Sequence, residues 1–252
     1  MNFSGQHVLI TGGTKGIGRA TAFAFAKQGA NVILNYSKDE YAAAEALENL
    51  PPGDHRAIKA DITQPDEVRQ LVNQVIRECG KIDVVVNNAG FYQSHPIDLV
   101  NYEAWQESWE ITLSVNLMGA ANVCYCVAQY MRLAGGGRII NISSRGAFRG
   151  EPDHPAYGAS KAGLNAMSQS LAQSLAKYNI YVGVVAPGFV ETDMAKAQLD
   201  GPEGDAIRAQ SPLGRVARPE EVAQAVLFLA SKGTEFMTGA ILDVNGASYL
   251  RS

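Results

Sequence analysis

The chain has 252 residues, a net charge of -4 and 46% hydrophobic content. That is enough for one substantial core in a single domain, and the slight acidity gives no electrostatic reason to expect nucleic acid or a membrane surface as partner. Three cysteines (Cys79, Cys124, Cys126) are too few for a disulfide framework, the histidines never stand at metal-ligand spacing, and no leader or apolar run of spanning length is evident, so a cytoplasmic protein without a metal is expected.

His7–Thr11 is a short apolar run that reads as a buried strand. It enters Thr11-Gly12-Gly13-Thr14-Lys15-Gly16-Ile17-Gly18, which opens an alanine-rich helix. A strand, a glycine turn and a helix start aim free backbone N–H groups and the positive helix end at one point, where a pyrophosphate fits. The spacing is G-x-x-x-G-x-G, so the commoner G-x-G-x-x-G rule holds in mechanism and not in letter. The second strand, Asn31–Tyr36, ends where an adenosine ribose would lie. Asn35, Tyr36 and Ser37 offer no carboxylate there, while Lys15 and Lys38 could pair with a 2′-phosphate, so NADP(H) is favoured over NAD(H).

A helix over 39–50, a turn at Pro51-Pro52-Gly53-Asp54, a strand ending at Ala60-Asp61, a helix over Pro65–Cys79 and a buried strand over 82–86 continue the alternation. Alternating strands and helices predict an α/β fold: a Rossmann-like, doubly wound parallel sheet of seven strands, with helices on both faces and ligands at the carboxyl edge. Asp61 with Ile62, and Asn88-Ala89-Gly90, fall at that edge as candidate cofactor-lining positions. Taken singly, Asp61 also reads as a helix cap and the asparagine segment as a polar turn.

Residues 105–133 read as a long helical stretch, in two segments, with Asn116 inside an apolar run. A fifth strand over 138–143 delivers Ser144 to the edge. After a loop from Gly146 to Pro155, Tyr157 and Lys161 stand four apart and share one helix face. A nearby ammonium lowers a phenol's pKa, and moving it from about 10 to about 7 needs about 4 kcal/mol. An isolated pair of this kind is an ordinary surface feature; a cofactor site around it gives it meaning. A sixth strand over 180–186 ends at Pro187-Gly188, and the polar segment of about 189–212, which includes Val190 and Thr192, reads as a substrate lid. A helix over Pro219–Ala230 and a seventh strand over 240–244 complete one domain over 1–252.

On these motifs the chain resembles the short-chain dehydrogenase/reductase family along nearly its whole length. The glycine motif, Asn87-Asn88-Ala89-Gly90, the set Asn116, Ser144, Tyr157 and Lys161, and Pro187-Gly188 occur in the family's order, and Ser144 stands thirteen residues before Tyr157. The resemblance implies a carbonyl reduction in which Ser144 binds the carbonyl oxygen and Tyr157 donates the proton. It implies that Lys161 holds the nicotinamide ribose, Asn116 positions a water leading to Lys161, and Thr192 meets the carboxamide. It further implies cofactor contacts from Gly12, Thr14, Lys15, Gly16, Ile17, Gly18, Val190 and the strand-edge residues named above.

Gly214-Arg215, Pro219-Glu220-Glu221 and Asp243-Val244-Asn245-Gly246 look most like 3-oxoacyl-[acyl-carrier-protein] reductases. This implies an acyl-thioester substrate, acyl carrier protein as partner and a homotetramer. Ala134-Gly135-Gly136-Gly137 replaces a basic cluster that would help dock an acidic carrier, and Gly183 stands where an asparagine is usual. Arg145 and Arg149 suggest a polar or anionic carbonyl substrate, or else they face solvent or pair with Glu151 and Asp153. A sugar or polyol dehydrogenase would use the same residues, and a dinucleotide sensor without catalysis is a third reading.

Overall fold

The strands are short aliphatic runs with no polar face. In a computed structural model describing residues 1–251, they are β1 (His7–Thr11), β2 (Asn31–Tyr36), β3 (Arg56–Lys59), β4 (Val84–Asn87), β5 (Gly137–Ile142), β6 (Ile180–Pro187) and β7 (Ile241–Val244). All pair in parallel, in the order β3-β2-β1-β4-β5-β6-β7. The chain winds outward from β1 to β3, crosses to β4 and winds the other way. The order therefore reverses between β1 and β4, where Thr11 lies beside Asn87 at the strand ends, and a crevice opens at that switch point.

The helices are α1 (Gly16–Lys27), α2 (Glu40–Glu48), α3 (Pro65–Cys79), α4 (Tyr102–Leu113), α5 (Ala120–Ala134), α6 (Gly146–Arg149), α7 (Pro155–Leu175), α8 (Asp193–Leu199), α9 (Gly204–Ala209) and α10 (Pro219–Ala230). Successive strand residues point to opposite faces, and two cores result. Val8, Ile10, Val32, Leu34 and Val86 pack with Phe25 of α1 and Val226 of α10 on one side. Leu9, Ile33, Val85 and Ile139 pack with Leu71 of α3 and Val127 of α5 on the other. Each such aliphatic side chain, fully buried, is worth about 1.5–3 kcal/mol.

Four details differ from the sequence reading. The third strand stops at Lys59, which leaves Ala60 and Asp61 in the turn beyond it. The loop after Ser144 contains the short helix α6, and the 189–212 segment holds α8 and α9 on a small core of Ala195, Leu199 and Ile207. The long helical stretch read over 105–133 runs over Tyr102–Ala134 in two α-helical segments, as expected, and what the sequence did not announce is the π-helical stretch at Ser114–Gly119 that joins them. At 33 residues the whole helix is long and apolar enough to cross a membrane by length and composition, contrary to expectation. Val123, Cys124, Val127 and Met131 nevertheless pack into the core, and Glu103, Glu107 and Glu110 lie in its first half.

Candidate active site

The β1–α1 turn needs glycine for two reasons at Gly12. Its φ is +59°, and a Cβ there would stand 3.0 Å from the Ala89 backbone. Gly18 packs still closer: a Cβ would meet the Gly12 carbonyl oxygen at 2.2 Å, so Gly18 supports the turn from behind. Lys15 precedes α1 without a side-chain cap, which leaves the first-turn N–H groups free for an anion. Thr14 is buried beneath the turn. Asn88 donates to the carbonyls of Thr11 and Gly12, both at 3.0 Å, and the Thr11 hydroxyl accepts from the N–H groups of Asn88 and Ala89. β1 and β4 are thereby locked edge to edge.

A cleft of about 890 Å³ runs from this turn across the sheet edge. Its dinucleotide end is lined by Gly12, Lys15, Gly16, Ile17, by Asn35 to Lys38, by Asp61 and Ile62, and by Asn88 to Gly90. Pro187, Gly188, Val190 and Thr192 line it from β6 onward. Thr192 lies over the glycine turn, its methyl 3.1 Å from where a Gly16 Cβ would be. An open, Cβ-free cradle at an uncapped helix start fits the phosphates of a nicotinamide dinucleotide.

Three expectations change here. The Asn35 amide is turned inward and donates to the Ala60 carbonyl at 2.9 Å, so it ties β2 to the turn after β3. Asp61 accepts from the Thr63 N–H and hydroxyl and organises its own turn. A carboxylate does reach the supposed 2′-phosphate region, because Asp39 caps α2 through Ala42 and pairs with Lys15. Only Lys38 of the two lysines is without such a partner among the described residues.

At the other end, Ser144, Tyr157 and Lys161 converge. The Ser144 Oγ accepts from the Gly146 N–H at 3.0 Å, which leaves its proton free to donate. Tyr157 lines the cleft beside Ser144. The Ser143 hydroxyl donates to the Lys161 carbonyl at 3.3 Å, in keeping with a structural part for the first serine. Lys161 is buried, donates to the Ile142 carbonyl at 2.8 Å and lies 5.7 Å from the Tyr157 ring.

The expected depression of the phenol's pKa is absent. Desolvation dominates and pushes Tyr157 well above the ordinary phenol value, against the lowering influence of Ser144. Burial also pushes the Lys161 amine down, to about 8. Lys161 is aimed at a carbonyl and not at the phenol oxygen, so it does not offset the cost of ionising Tyr157.

Asn116 lies outside the cleft wall, on the π-helical stretch, a local geometry often found beside functional sites. Its Nδ2 donates to the Phe91 carbonyl and the Ser160 hydroxyl, and its Oδ1 accepts from the Phe91 N–H at 2.7 Å. Both amide protons are committed, so the side chain clamps the β4 edge to α7 and is not free to organise a water by donation. Arg145 is buried over the Phe189 ring and donates to Gln210; exposed Arg149 reaches the same Gln210 at 3.3 Å. Neither guanidinium forms an ion pair with Glu151 or Asp153 among the described residues.

Among the cleft residues that the sequence reading did not name as site residues are Tyr92, Glu151 and Gln198. Tyr92 stacks on His154 at 3.9 Å and meets Tyr157 edge-on at 4.7 Å. Its place just after Asn88-Ala89-Gly90 was the available signal. Glu151 had only its nearness in sequence to Ser144, and Gln198 had no signal.

A glycine cradle at one end of the cleft and a hydroxyl, phenol and amine at the other define an NAD(P)-dependent oxidoreductase acting on a ketone. A family model described as Enoyl-(Acyl carrier protein) reductase matches residues 12–247. The 3-oxoacyl-[acyl-carrier-protein] reductase of Thermotoga maritima is 38% identical over 248 residues, 98% of each chain, and that of Escherichia coli K12 is 36% identical, covering 99% of this chain and 100% of its own. The crystal structure of gox2181 superposes with a TM-score of 0.92 at 32% identity, over 98% of this chain and 96% of that one. The chain belongs to the short-chain dehydrogenase/reductase family.

Proposed function

We propose that the chain is an NADPH-preferring reductase of 3-oxoacyl-thioester-like ketones, with Tyr157 as general acid. The observation that carries this reading is that Ser144, Tyr157 and Lys161 line one wall of the cleft together, with the Lys161 amine 5.7 Å from the Tyr157 ring. The reduced nicotinamide, when bound, supplies hydride to the ketone carbon. As charge grows on the carbonyl oxygen, Ser144 donates its free proton into a hydrogen bond and Tyr157 transfers its own. A phenol kept neutral by burial suits this direction, since the acid must arrive protonated. Lys161 and Tyr157 would hold the nicotinamide ribose, and Thr192 the carboxamide.

Lys38 at the adenosine end, with no acid at Asn35 to Ser37, supports NADPH. The relatives' names support a 3-oxoacyl group carried on acyl carrier protein. Helix α8 borders the cleft through Met194 and Gln198 and, backed by α9, acts as its lid. Ile111, Met118 and Tyr125, seven apart and exposed on the long helix, form a face for the neighbouring subunit of a tetramer. Initial rates with acetoacetyl and crotonyl thioesters, each with NADPH and NADH, test the reading. We expect NADPH consumption with the acetoacetyl compound; preference for the crotonyl compound would move the hydride to a C=C bond, and preference for NADH would overturn the cofactor assignment.

A further inference from the structure

The cleft end beside Ser144 holds acceptor groups that carbonyl reduction itself does not use. Glu151 lines it, half-buried, and its Oε1 lies 2.7 Å from where a Cβ on Gly146 would stand. Gly146 is the residue whose N–H holds the Ser144 hydroxyl, so the carboxylate sits one residue's width from the oxygen-binding group. Its carboxylate has no hydrogen-bond or ion-pair partner among the described residues, because Arg145 and Arg149 are both drawn to Gln210. Across the cleft Gln198 borders the Tyr92 hydroxyl, and its Oε1 is buried without a hydrogen-bond partner. A desolvated acceptor without a donor costs free energy that a ligand can recover.

We infer that the reaction centre also takes a further substrate class, neutral ketones with a hydroxyl next to the carbonyl, and that Glu151 selects them by accepting from that hydroxyl. Gln198 Oε1 supplies a second acceptor for a longer, polyhydroxylated substrate. The inference rests on the assignment of Ser144 and Tyr157 as the reaction centre. In the reaction, the carbonyl carbon gains a hydride from the dihydronicotinamide and the carbonyl oxygen gains the Tyr157 proton. One C=O π bond is exchanged for a C–H and an O–H bond, the cofactor leaves oxidised, and the neighbouring hydroxyl is unchanged. The acceptor role suits either ionisation state of Glu151, whose burial raises its pKa against the pull of Arg149 and Arg145 and with the push of Asp153. A carboxylate-bearing ketone would meet repulsion from an ionised Glu151 at this end.

The minimal probe is 3-hydroxy-2-butanone against 2-butanone, which differ by that one hydroxyl, with both NADPH and NADH offered. The wild-type protein should favour the hydroxyketone in kcat/KM by at least about tenfold, the size of one charge-assisted hydrogen bond. Glu151→Leu should bring that ratio close to one, and Glu151→Gln, which keeps an acceptor, should leave an intermediate ratio. NADPH fluorescence on binding reports that each variant is folded. A wild-type ratio near one, or a ratio that Glu151→Leu does not move, overturns the inference. Turnover of acetoacetyl thioester without turnover of either ketone also overturns it while the reading of the reaction centre stands; no turnover of any of the three brings down both.

Discussion

At the dinucleotide end of the cleft the polar groups close on one another: Thr11 with Asn88 and Ala89, Asn35 with the Ala60 carbonyl, Asp61 with Thr63, Asp39 with Lys15. At the substrate end Glu151 and the Gln198 oxygen are left open, and the phenol and amine are carried at pKa values shifted by burial. The first end is a cradle made of backbone, braced so that it need not move. The second is made of side chains on α7, α8 and the connection between β5 and α7, where a change of one residue alters what can bind. This is the division expected when a common cofactor is combined with a particular substrate.

The largest expected effect falls at the substrate end. Tyr157→Phe removes the proton donor but keeps the ring that meets Tyr92 edge-on at 4.7 Å. We expect kcat to fall by about 10²- to 10⁴-fold, with the NADPH dissociation constant little changed when followed by fluorescence titration. Near-normal turnover would mean that another group protonates the substrate, and Tyr92 would be the nearest phenol.

A second effect separates stability from chemistry. His154 is buried under the Tyr92 ring, and desolvation, against the pull of Asp153, lowers its pKa from 6.5 to about 4. Below pH 4 both folded and unfolded chains carry the proton. Between pH 4 and 6.5 only the unfolded chain binds it, so stability rises with pH across that window and is fully present above it. The full contribution is about 3 kcal/mol. His154→Phe keeps the stacked ring and has no proton to bind. Unfolding free energies from urea titrations at pH 4 and pH 7 should therefore differ less in the variant, by about that amount; equal differences in the two proteins would show that His154 does not titrate as buried.

The same contrast governs what could be read from the chain alone. Strand and helix order, the glycine turn and the shared helix face of Tyr157 and Lys161 follow from periodicity and spacing, because they depend on neighbours in sequence, while the choice of Ser144 comes from the family resemblance. The π-helical stretch within the long helix could not be read that way: it carries Asn116, whose partners Phe91 and Ser160 lie 25 and 44 residues away. The inward turn of Asn35 depends on β3, and the capture of Arg145 by Gln210, 65 residues on, decides that Glu151 is left without a partner. Desolvation is equally a property of the assembled site. The spacing of Tyr157 and Lys161 promised a depressed phenol pKa, and burial reversed its sign.

The smallest expected effect concerns the one pair at the dinucleotide end that faces solvent. Asp39 accepts from the Ala42 N–H at 2.9 Å and holds Lys15, with about half of each side chain exposed. Asparagine at this position keeps a capping oxygen for α2 and removes the charge that competes with a 2′-phosphate for Lys15. Asp39→Asn should therefore lower the Michaelis constant for NADPH by about two- to fivefold, the range of an exposed ion pair, and leave that for NADH unmoved. The gain should shrink at high salt, where exposed charges are screened. If both cofactors improve together, the carboxylate acts on the shared part of the dinucleotide; if neither does, Lys15 does not reach the ribose phosphate and the preference rests on Lys38 alone.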